Sequence, residues 1–193
     1  MRQTIDKITN DIFDLYENYG QADYIGEPVS QIEHMSQSAQ LAIKEGYDDE
    51  VVLSAFFHDI GHICVQGLGE NSMDGYGTKS HEQIGAEFLR EKGFPERMAR
   101  LVEYHVKAKR YLTFKFPKYY DNLSEASKHT LEFQGGKMSS SEAFDFEQDP
   151  LFEISISMRK WDEQAKEVNV PIINLTELKT RVRNILETSF NRF

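Results

Sequence analysis

The chain has 193 residues, one cysteine and a formal net charge of −10, and its length suits one hydrophobic core, which predicts a single domain over residues 1–193. The acidic charge, without any basic stripe, argues against nucleic acid as a partner, because nucleic-acid binders concentrate positive charge. The single cysteine excludes an intrachain disulfide, and with no apolar segment typical of a signal peptide or an anchor we expect a cytoplasmic protein without a membrane partner.

Apolar residues recur with a period near 3.6 in nearly every regular segment, and this periodicity predicts an all-α fold. The first helix is expected in residues 1–20, where isoleucines and a leucine fall on one face. Start and stop residues then bracket helices in 31–46, 48–64, 80–93, 95–112, 124–136 and 149–168. A last amphipathic helix is expected at about 176–190, and no alternating pattern predicts a strand.

Two irregular stretches, 67–79 and 135–150, interrupt this pattern beside the residues discussed below. Both are too polar to be buried, so either is a candidate lid over a site. The second stretch is expected to hold a short helix, because Ser139 and Glu142 have the spacing of a capping box. A further loop is expected before His34, where Gly26 and Pro28 break the periodicity.

Histidines and aspartates along the chain have the order of a two-metal ligand set. A lone histidine is followed by an adjacent His-Asp pair, two further histidines and a final aspartate: His34, His58, Asp59, His81, His105 and Asp162. The segment VVLSAFF before the His-Asp pair is almost entirely apolar, and a carboxylate buried there needs a compensating cation. A second metal would use the imidazoles of His81 and His105, with Asp59 as the bridging carboxylate. Any one histidine alone is better explained as a hydrogen-bonded core residue; the ordered set favours ligands.

Three side chains stand three or four residues from a proposed ligand and are therefore predicted to share its helix face: His62, Lys109 and Arg159. The two cations resemble a cradle for a multiply charged oxyanion, with Arg159 as a bidentate fork and Lys109 as a point charge. Ser127 and Thr130, on the intervening helix, could add hydroxyl donors. The alternatives are a solvated helix face or a salt bridge to a ligand carboxylate for the cations, and ordinary exposed positions for the hydroxyls.

Two residues in the loop before the first proposed ligand have chemistry that suits the same site. The Glu27 carboxylate suits an amine cation, and the Tyr24 phenol could approach a metal. Ordinary loop polarity explains both residues as well, so the sequence leaves this point open.

The segments YIGEPVSQIEH, FFHDIGH, KSHEQIGA, EYHVKAKRYL and MRKWDEQAK resemble the HD-domain mixed-valent di-iron oxygenases, a family that includes myo-inositol oxygenase. The resemblance spans about residues 20–170 and takes in all six proposed ligands. It implies a single HD-domain helical bundle that holds two iron ions, Fe(II) and Fe(III), with Asp59 bridging them. The resemblance assigns His34, His58 and Asp162 to one ion and His81 and His105 to the other.

The same resemblance implies an O2-dependent dioxygenase of organophosphonate catabolism, cleaving the carbon–phosphorus bond of 2-amino-1-hydroxyethylphosphonate to glycine and phosphate. The residues that it implies for the phosphonate group are Lys109, Ser127, Thr130 and Arg159. It implies Tyr24, Glu27 and His62 as catalytic residues that also contact the substrate. Glu27 and His62 would face the amine, and Tyr24 would fill an open coordination position until the substrate arrives.

Three other functions fit part of the pattern. A metal-dependent phosphohydrolase of the HD type explains the ligands and the oxyanion cradle equally well, although most members with one metal would not need His81 and His105. An oxygenase for a methylated amine also fits Glu27, but a quaternary cation would require an aromatic cage. A metal-stabilised module without catalytic activity is disfavoured by the open, polar site. The oligomeric state stays open.

Overall fold

The computed structural model describes residues 2–24, 26–65, 73, 75 and 77–191. These residues form ten α-helices, a short 3-10 turn at Ile60–His62 and no β-strand, so the predicted all-α fold is confirmed. The helices are α1 Arg2–Tyr19, α2 Gln31–Lys44, α3 Asp49–Phe57, α4 His81–Glu91, α5 Glu96–Lys115, α6 Pro117–Asn122, α7 Glu125–Phe133, α8 Ser140–Glu147, α9 Phe152–Gln164 and α10 Leu175–Phe190. None of them is both long enough and apolar enough to cross a membrane.

Helix ends lie close to the positions that the capping residues predict. Ser124 caps α7 by accepting a hydrogen bond from the Ser127 backbone N–H. Ser139 and Glu142 form the expected capping box at the start of α8, each side chain bonding the backbone of the other. Gly46 follows α2 with a φ of 80°, a left-handed conformation that glycine adopts without steric cost.

The chain departs from the predicted helices at the His-Asp pair. The prediction of one helix over 48–64 is wrong, because α3 ends at Phe57 and a 3-10 turn follows at Ile60–His62. The turn brings Gly61 so close to α4 that an added Cβ would collide with the backbone carbonyl of His81. His62 therefore does not share a helix face with His58, although both point toward the same region.

Two other boundaries differ from the prediction. The short helix α6 was not predicted, and α9 begins at Phe152 and ends at Gln164, within the expected 149–168. Asp149 accepts a hydrogen bond from the Leu151 backbone N–H just before α9. Of the first candidate lid, residues 67–72, 74 and 76 lie outside the described residues; the second candidate contains α8.

The ligand-bearing helices pack around a common core. Helix α2 packs against α3, and α5 packs against both α4 and α9, while α1 and α10 pack on each other at the outer side. Large buried side chains such as Phe13, Tyr16, Phe56, Phe57 and Trp161 fill the space between these helices. Because this packing fixes the helix ends relative to one another, side chains far apart in sequence meet at one site.

Candidate metal centre and substrate pocket

The six predicted ligands lie together in the interior, and each has a relative exposure of 4% or less. Their positions are His34 on α2, His58 directly after α3, Asp59 in the following turn, His81 as the first residue of α4, His105 on α5 and Asp162 near the end of α9. The break after Phe57 is what turns Asp59 toward the other ligands. The cluster therefore depends on the local feature that periodicity did not predict.

Asp59 lies between two pairs of histidines. Its Oδ2 is 3.3 Å from His58 Nε2 and 3.6 Å from His34 Nε2. Its Oδ1 is 3.2 Å from His81 Nε2 and 3.5 Å from His105 Nε2. Each carboxylate oxygen thus faces one pair, which is the arrangement that a carboxylate bridging two metal ions requires. Asp162 Oδ1 joins the first pair at 3.4 Å from His34 Nε2.

The four ring nitrogens that face away from Asp59 contact backbone carbonyls. The Nδ1 atoms of His34, His58, His81 and His105 lie 2.9, 2.8, 3.3 and 2.6 Å from the carbonyl oxygens of Ala165, Ala55, Thr78 and Val102. Because a carbonyl only accepts, each Nδ1 carries the hydrogen and each Nε2 presents a lone pair to the centre. This is the tautomer that a metal ligand needs.

The histidine Nε2 atoms form two close pairs, and each pair requires a cation between its atoms. His34 Nε2 and His58 Nε2 are 3.0 Å apart, and His81 Nε2 and His105 Nε2 are 3.1 Å apart. Two lone pairs facing each other at this distance repel unless a proton or a metal ion is shared between them. The donor set of imidazole nitrogens and carboxylate oxygens fits a transition metal such as iron.

The buried carboxylates produce the same demand for positive charge. Burial favours the neutral acids, but His58 beside Asp59 and Arg159 beside Asp162 hold both carboxyl pKa values well below their usual range. Burial lowers the pKa of His58, but the Asp59 carboxylate outweighs burial and raises that pKa to about 9. In the metal-free protein a proton on His58 thus supplies part of the charge that metal ions would bring.

His62 lies at ligand distance from the centre but has a different hydrogen-bonding pattern. One ligand atom from each of Asp59, His62 and His81 falls within 4.8 Å of the others, and the rings of His62 and His81 stack with centroids 4.0 Å apart. His62 Nδ1, however, accepts a hydrogen bond from the Thr78 backbone N–H, so its hydrogen is on Nε2. Burial lowers the pKa of His62 to about 3. A neutral ring with an Nε2–H donor suits a substrate oxygen, and it does not suit the predicted contact with an ammonium group.

A cavity of about 60 Å³ opens beside the metal ligands. This is far smaller than the roughly 300–1,000 Å³ of pockets for drug-sized ligands, so the described site suits a small substrate. All seven predicted substrate residues line it: Tyr24, Glu27, His62, Lys109, Ser127, Thr130 and Arg159. The ligands Asp59, His81, His105 and Asp162 line it too, so the structure brings both predicted groups to one cavity.

Lys109 is a buried cation whose described side-chain contacts are neutral. Its Nζ donates to Thr130 Oγ1 at 2.8 Å and to Gln134 Oε1 at 2.9 Å, both presented by α7 and the residue that follows it. Burial, with the nearby Arg159 guanidinium, lowers the pKa of Lys109 well below its usual range. The positive charge is therefore costly in the free protein, and an anion in the cavity would stabilise it.

The Arg159 guanidinium already contacts several protein groups, so it cannot make the bidentate contact with an oxyanion that the sequence predicted. Its Nε donates to Tyr119 Oη at 2.9 Å and to Glu163 Oε1 at 2.8 Å, and its Nη1 contacts Asp162 Oδ2. Its Nη2 is buried and has no hydrogen-bond partner among the described residues. Arg159 therefore offers one nitrogen to a ligand in this arrangement, where the sequence predicted a bidentate contact.

Tyr24 and Glu27 both have partners at the cavity wall. The Tyr24 ring stacks on the His34 ring with centroids 3.9 Å apart. Burial, then the Asp59 charge, raise the pKa of Tyr24 well above its usual range, so the phenol is neutral. The Glu27 carboxylate forms a salt bridge with Lys166, two residues after the end of α9.

Sequence reasoning missed four residues at this site. Gln31 and Gln134 line the cavity, Tyr119 holds Arg159, and Lys166 pairs with Glu27. The spacing rule that identified Arg159 would also have found Gln31, three residues before His34, and Lys166, four residues after Asp162. Tyr119 and Gln134 had no such signal.

Comparisons with known proteins agree with the site. The HD domain model matches residues 32–143. An uncharacterized protein of Acanthamoeba polyphaga mimivirus is 42% identical over 191 residues, covering 99% of this chain and 87% of that protein. The [1-hydroxy-2-(trimethylamino)ethyl]phosphonate dioxygenase (glycine-betaine-forming) of Leisingera caerulea is 41% identical over 156 residues, covering 81% of this chain and 79% of that protein. Hydroxymethylphosphonate dioxygenase of Gimesia maris is 35% identical over 178 residues, covering 92% of this chain and 88% of that protein.

Proposed function

The chain belongs to the phosphonate dioxygenases of the HD-domain family, and we propose that it converts 2-amino-1-hydroxyethylphosphonate and dioxygen into glycine and phosphate. The two named relatives act on a trimethylamino phosphonate and on hydroxymethylphosphonate, so the family chemistry is cleavage of a carbon–phosphorus bond. The proposal goes beyond this shared reaction in one respect: it assigns a primary amine to the end of the substrate that lies away from phosphorus.

Two buried atoms of opposite hydrogen-bonding character support a zwitterionic substrate. Gln31 Oε1 is an acceptor and Arg159 Nη2 is a donor; neither has a partner among the described residues, and both residues line the cavity. Gln31 Nε2 donates to the Asp23 carbonyl oxygen at 3.5 Å, so Oε1 is the amide atom that remains to accept a hydrogen bond. A buried group left without a partner costs about 1–3 kcal/mol, so a ligand that satisfies both atoms gains affinity from each.

A primary ammonium complements the Gln31 end better than the groups of the two relatives' substrates. An ammonium has N–H donors for Gln31 Oε1, and the Glu27 carboxylate, from the loop before α2, lines the same cavity. A trimethylammonium has no such donor, and it would need an aromatic cage. Among the described residues that line the cavity, Tyr24 supplies the only phenyl ring, and that ring stacks on His34.

A second group of cavity residues suits a phosphonate. Lys109 Nζ, Arg159 Nη2 and the Thr130 hydroxyl belong to residues that line it, and Ser127 adds a second hydroxyl. Charge-assisted hydrogen bonds from buried cations to phosphonate oxygens are stronger than neutral ones. In this pose the neutral His62 donates its Nε2–H to a substrate oxygen, and the buried ligands keep bulk water from the reacting carbon.

We further propose that the centre holds two iron ions with Asp59 as the bridge, His34, His58 and Asp162 on one and His81 and His105 on the other. Bound there as Fe(II) and Fe(III), they would supply oxygen activation and the electron transfer. The overall reaction balances without another reductant, because the substrate provides all four electrons that dioxygen accepts. Tyr24 lines the same cavity as Asp59 with its phenol neutral, and it would fill a coordination position until the substrate arrives.

The test is the origin of the oxygen in the product. Iron-loaded protein is incubated with 2-amino-1-hydroxyethylphosphonate and labelled dioxygen, and phosphate release, oxygen uptake and the label in glycine are measured together. We expect one phosphate per dioxygen consumed, one labelled oxygen in the glycine carboxylate, and no turnover under nitrogen. Undiminished phosphate release without oxygen would instead support the phosphohydrolase.

The same assay with the trimethylamino analogue and with hydroxymethylphosphonate tests the substrate. We expect the primary amine to have the highest kcat/KM of the three. A preference for either analogue would refute the proposed amine contact while leaving the oxygenase reaction standing.

A further inference from the structure

His81 differs from the other three metal-ligand histidines in its outer contact. The Nδ1 atoms of His34, His58 and His105 lie 2.6–2.9 Å from a carbonyl oxygen, whereas His81 Nδ1 lies 3.3 Å from the Thr78 carbonyl. An N–H···O bond has its usual length near 2.9–3.0 Å, so the His81 contact is long and weak. The His81 ring is the one most open to a second partner.

A carboxylate lies next to that ring. Glu82 Oε2 is 3.7 Å from His81 Nδ1, the Glu82 side chain is 13% exposed, and Oε2 is buried with no hydrogen-bond partner among the described residues. At 3.7 Å the two atoms attract as charge and dipole without a formed hydrogen bond. A buried, unpartnered carboxylate oxygen is unfavourable unless something beside it uses the charge.

The position of Glu82 at a helix start does not account for this burial. The helix dipole stabilises an acidic residue in the first turn of α4, but this stabilisation requires neither burial nor a neighbouring imidazole. Ser80, the residue before α4, makes no side-chain capping bond, and no backbone N–H reaches Glu82 Oε2 among the described residues. The Glu82 oxygen is therefore directed to the ligand and leaves the helix end uncapped.

The outer groups also carry opposite charges on the two sides of the centre. On the His34 side, Arg159 Nη1 contacts Asp162 and draws electron density away from that ligand. On the His81 side, Glu82 places a negative charge behind the imidazole. A carboxylate behind a ligating histidine raises the basicity of the ligand nitrogen, which strengthens metal binding and favours the higher oxidation state.

We propose that Glu82 is a positioning residue of the metal centre: its carboxylate beside His81 Nδ1 raises the basicity of that ligand, strengthens the metal position of His81 and His105, and stabilises the oxidised ion there. The proposal rests on the two-metal centre of the proposed function and is independent of which phosphonate the enzyme cleaves.

The test uses Glu82→Gln and Glu82→Ala, with Glu87→Gln as the control. Glu87 lies on the same helix, and its side chain is 67% exposed and paired with Arg90. Binding of Fe(II) alone to metal-free protein is followed by equilibrium dialysis under nitrogen. The potential of the iron-loaded protein is followed by a redox titration with EPR detection of the mixed-valent pair. Melting of the metal-free variants is recorded alongside.

Both Glu82 variants should bind the first iron as the wild type does and the second iron 10- to 100-fold more weakly, the usual cost of removing such an outer partner. Their potential should move to more positive values, because the oxidised ion loses a stabilising charge. Glutamine retains an acceptor of similar shape, so a shifted potential in Glu82→Gln attributes the effect to charge and cannot come from lost packing.

Two results would overturn the inference. Affinity for the second iron and a potential in both Glu82 variants that match Glu87→Gln would show that the carboxylate does not act on the metal, while the proposed function would stand. A wild-type protein that binds only one iron would refute the two-metal centre and this inference together.

Discussion

The substitution Lys109→Met should weaken substrate binding without destabilising the protein. Methionine has nearly the length of lysine without its charge, so the change removes the cation and retains much of the packing. In the free protein the Lys109 ammonium is buried, its described contacts are the neutral side chains of Thr130 and Gln134, and burial lowers its pKa. A lysine placed for structure alone would not need this costly arrangement.

The magnitude follows from the burial. Removing one member of a buried, hydrogen-bonded charge pair costs about 2–5 kcal/mol of binding free energy, which is roughly 30- to 4,000-fold in kcat/KM or in affinity. For the protein itself the substitution removes the penalty of a buried charge, several kcal/mol in general, and leaves two acceptors on half-exposed residues that water can reach. We therefore expect the free energy of unfolding of the metal-free protein to stay constant or to rise.

Two measurements check this prediction. Phosphate release gives kcat/KM, and calorimetry with 2-aminoethylphosphonate gives the affinity for an unreactive analogue. Lys115→Met serves as the control, because Lys115 lies on the same helix with a side chain 47% exposed and pairs with Glu147. A Lys109→Met protein that unfolds more easily by over ~1 kcal/mol, yet binds the analogue like the wild type, would refute the reasoning and make Lys109 a structural residue.

Three further predictions concern the centre and the amine end. His58 has a pKa of about 9 without metal, raised from 6.5, so its protonation stabilises the metal-free protein below pH 6.5 and that stability is lost as pH rises to about 9. Metal binding at pH 7 should therefore release a proton, which titrations in two buffers of different ionisation enthalpy would detect. The apparent affinity for metal should also rise, by up to about tenfold per pH unit, as the pH approaches 9. Asp59→Asn removes the anionic bridge, so metal analysis should find fewer than two irons per chain; two retained and magnetically coupled irons would contradict the bridging role. Gln31→Met removes the acceptor for the ammonium, so the ratio of kcat/KM for the primary amine to that for the trimethylamino analogue should fall at least about tenfold, whereas Gln40→Met, at the surface of the same helix, should leave it unchanged.

The sequence predicted what depends on local or ordered signals. The period of the apolar residues predicted the all-α fold. The H…HD…D order with two added histidines identified residues that lie together in the structure. The family and the oxygenase class, taken from quoted segments such as FFHDIGH, are confirmed by the HD-domain match and the dioxygenase relatives. The residue roles and the amine substrate stay predictions.

What sequence reasoning missed depends on contacts between distant segments. The run from Val51 to Phe57 is apolar apart from Ser54, and no glycine or proline follows it directly, so nothing local marks the end of α3 at Phe57. The end reflects the approach of Gly61 to α4. The commitment of Arg159 to Tyr119 likewise requires α6, which lies 40 residues away and shows no strong period. A spacing rule finds groups on one helix and gives no information about which partners other helices bring.

The charges around the cavity link metal binding to anion binding. Asp59 and Asp162 face the cations Lys109 and Arg159, and Glu27 is paired with Lys166, so the described groups of the metal-free site are nearly balanced. Two metal ions would add at least four positive charges to a buried volume, where such an excess is costly without an anion. A phosphonate dianion supplies that negative charge next to Lys109 and Arg159. We therefore infer that the substrate acts as counter-ion of the loaded centre, and that metal-free protein binds phosphonates much more weakly, which calorimetry before and after iron loading would measure.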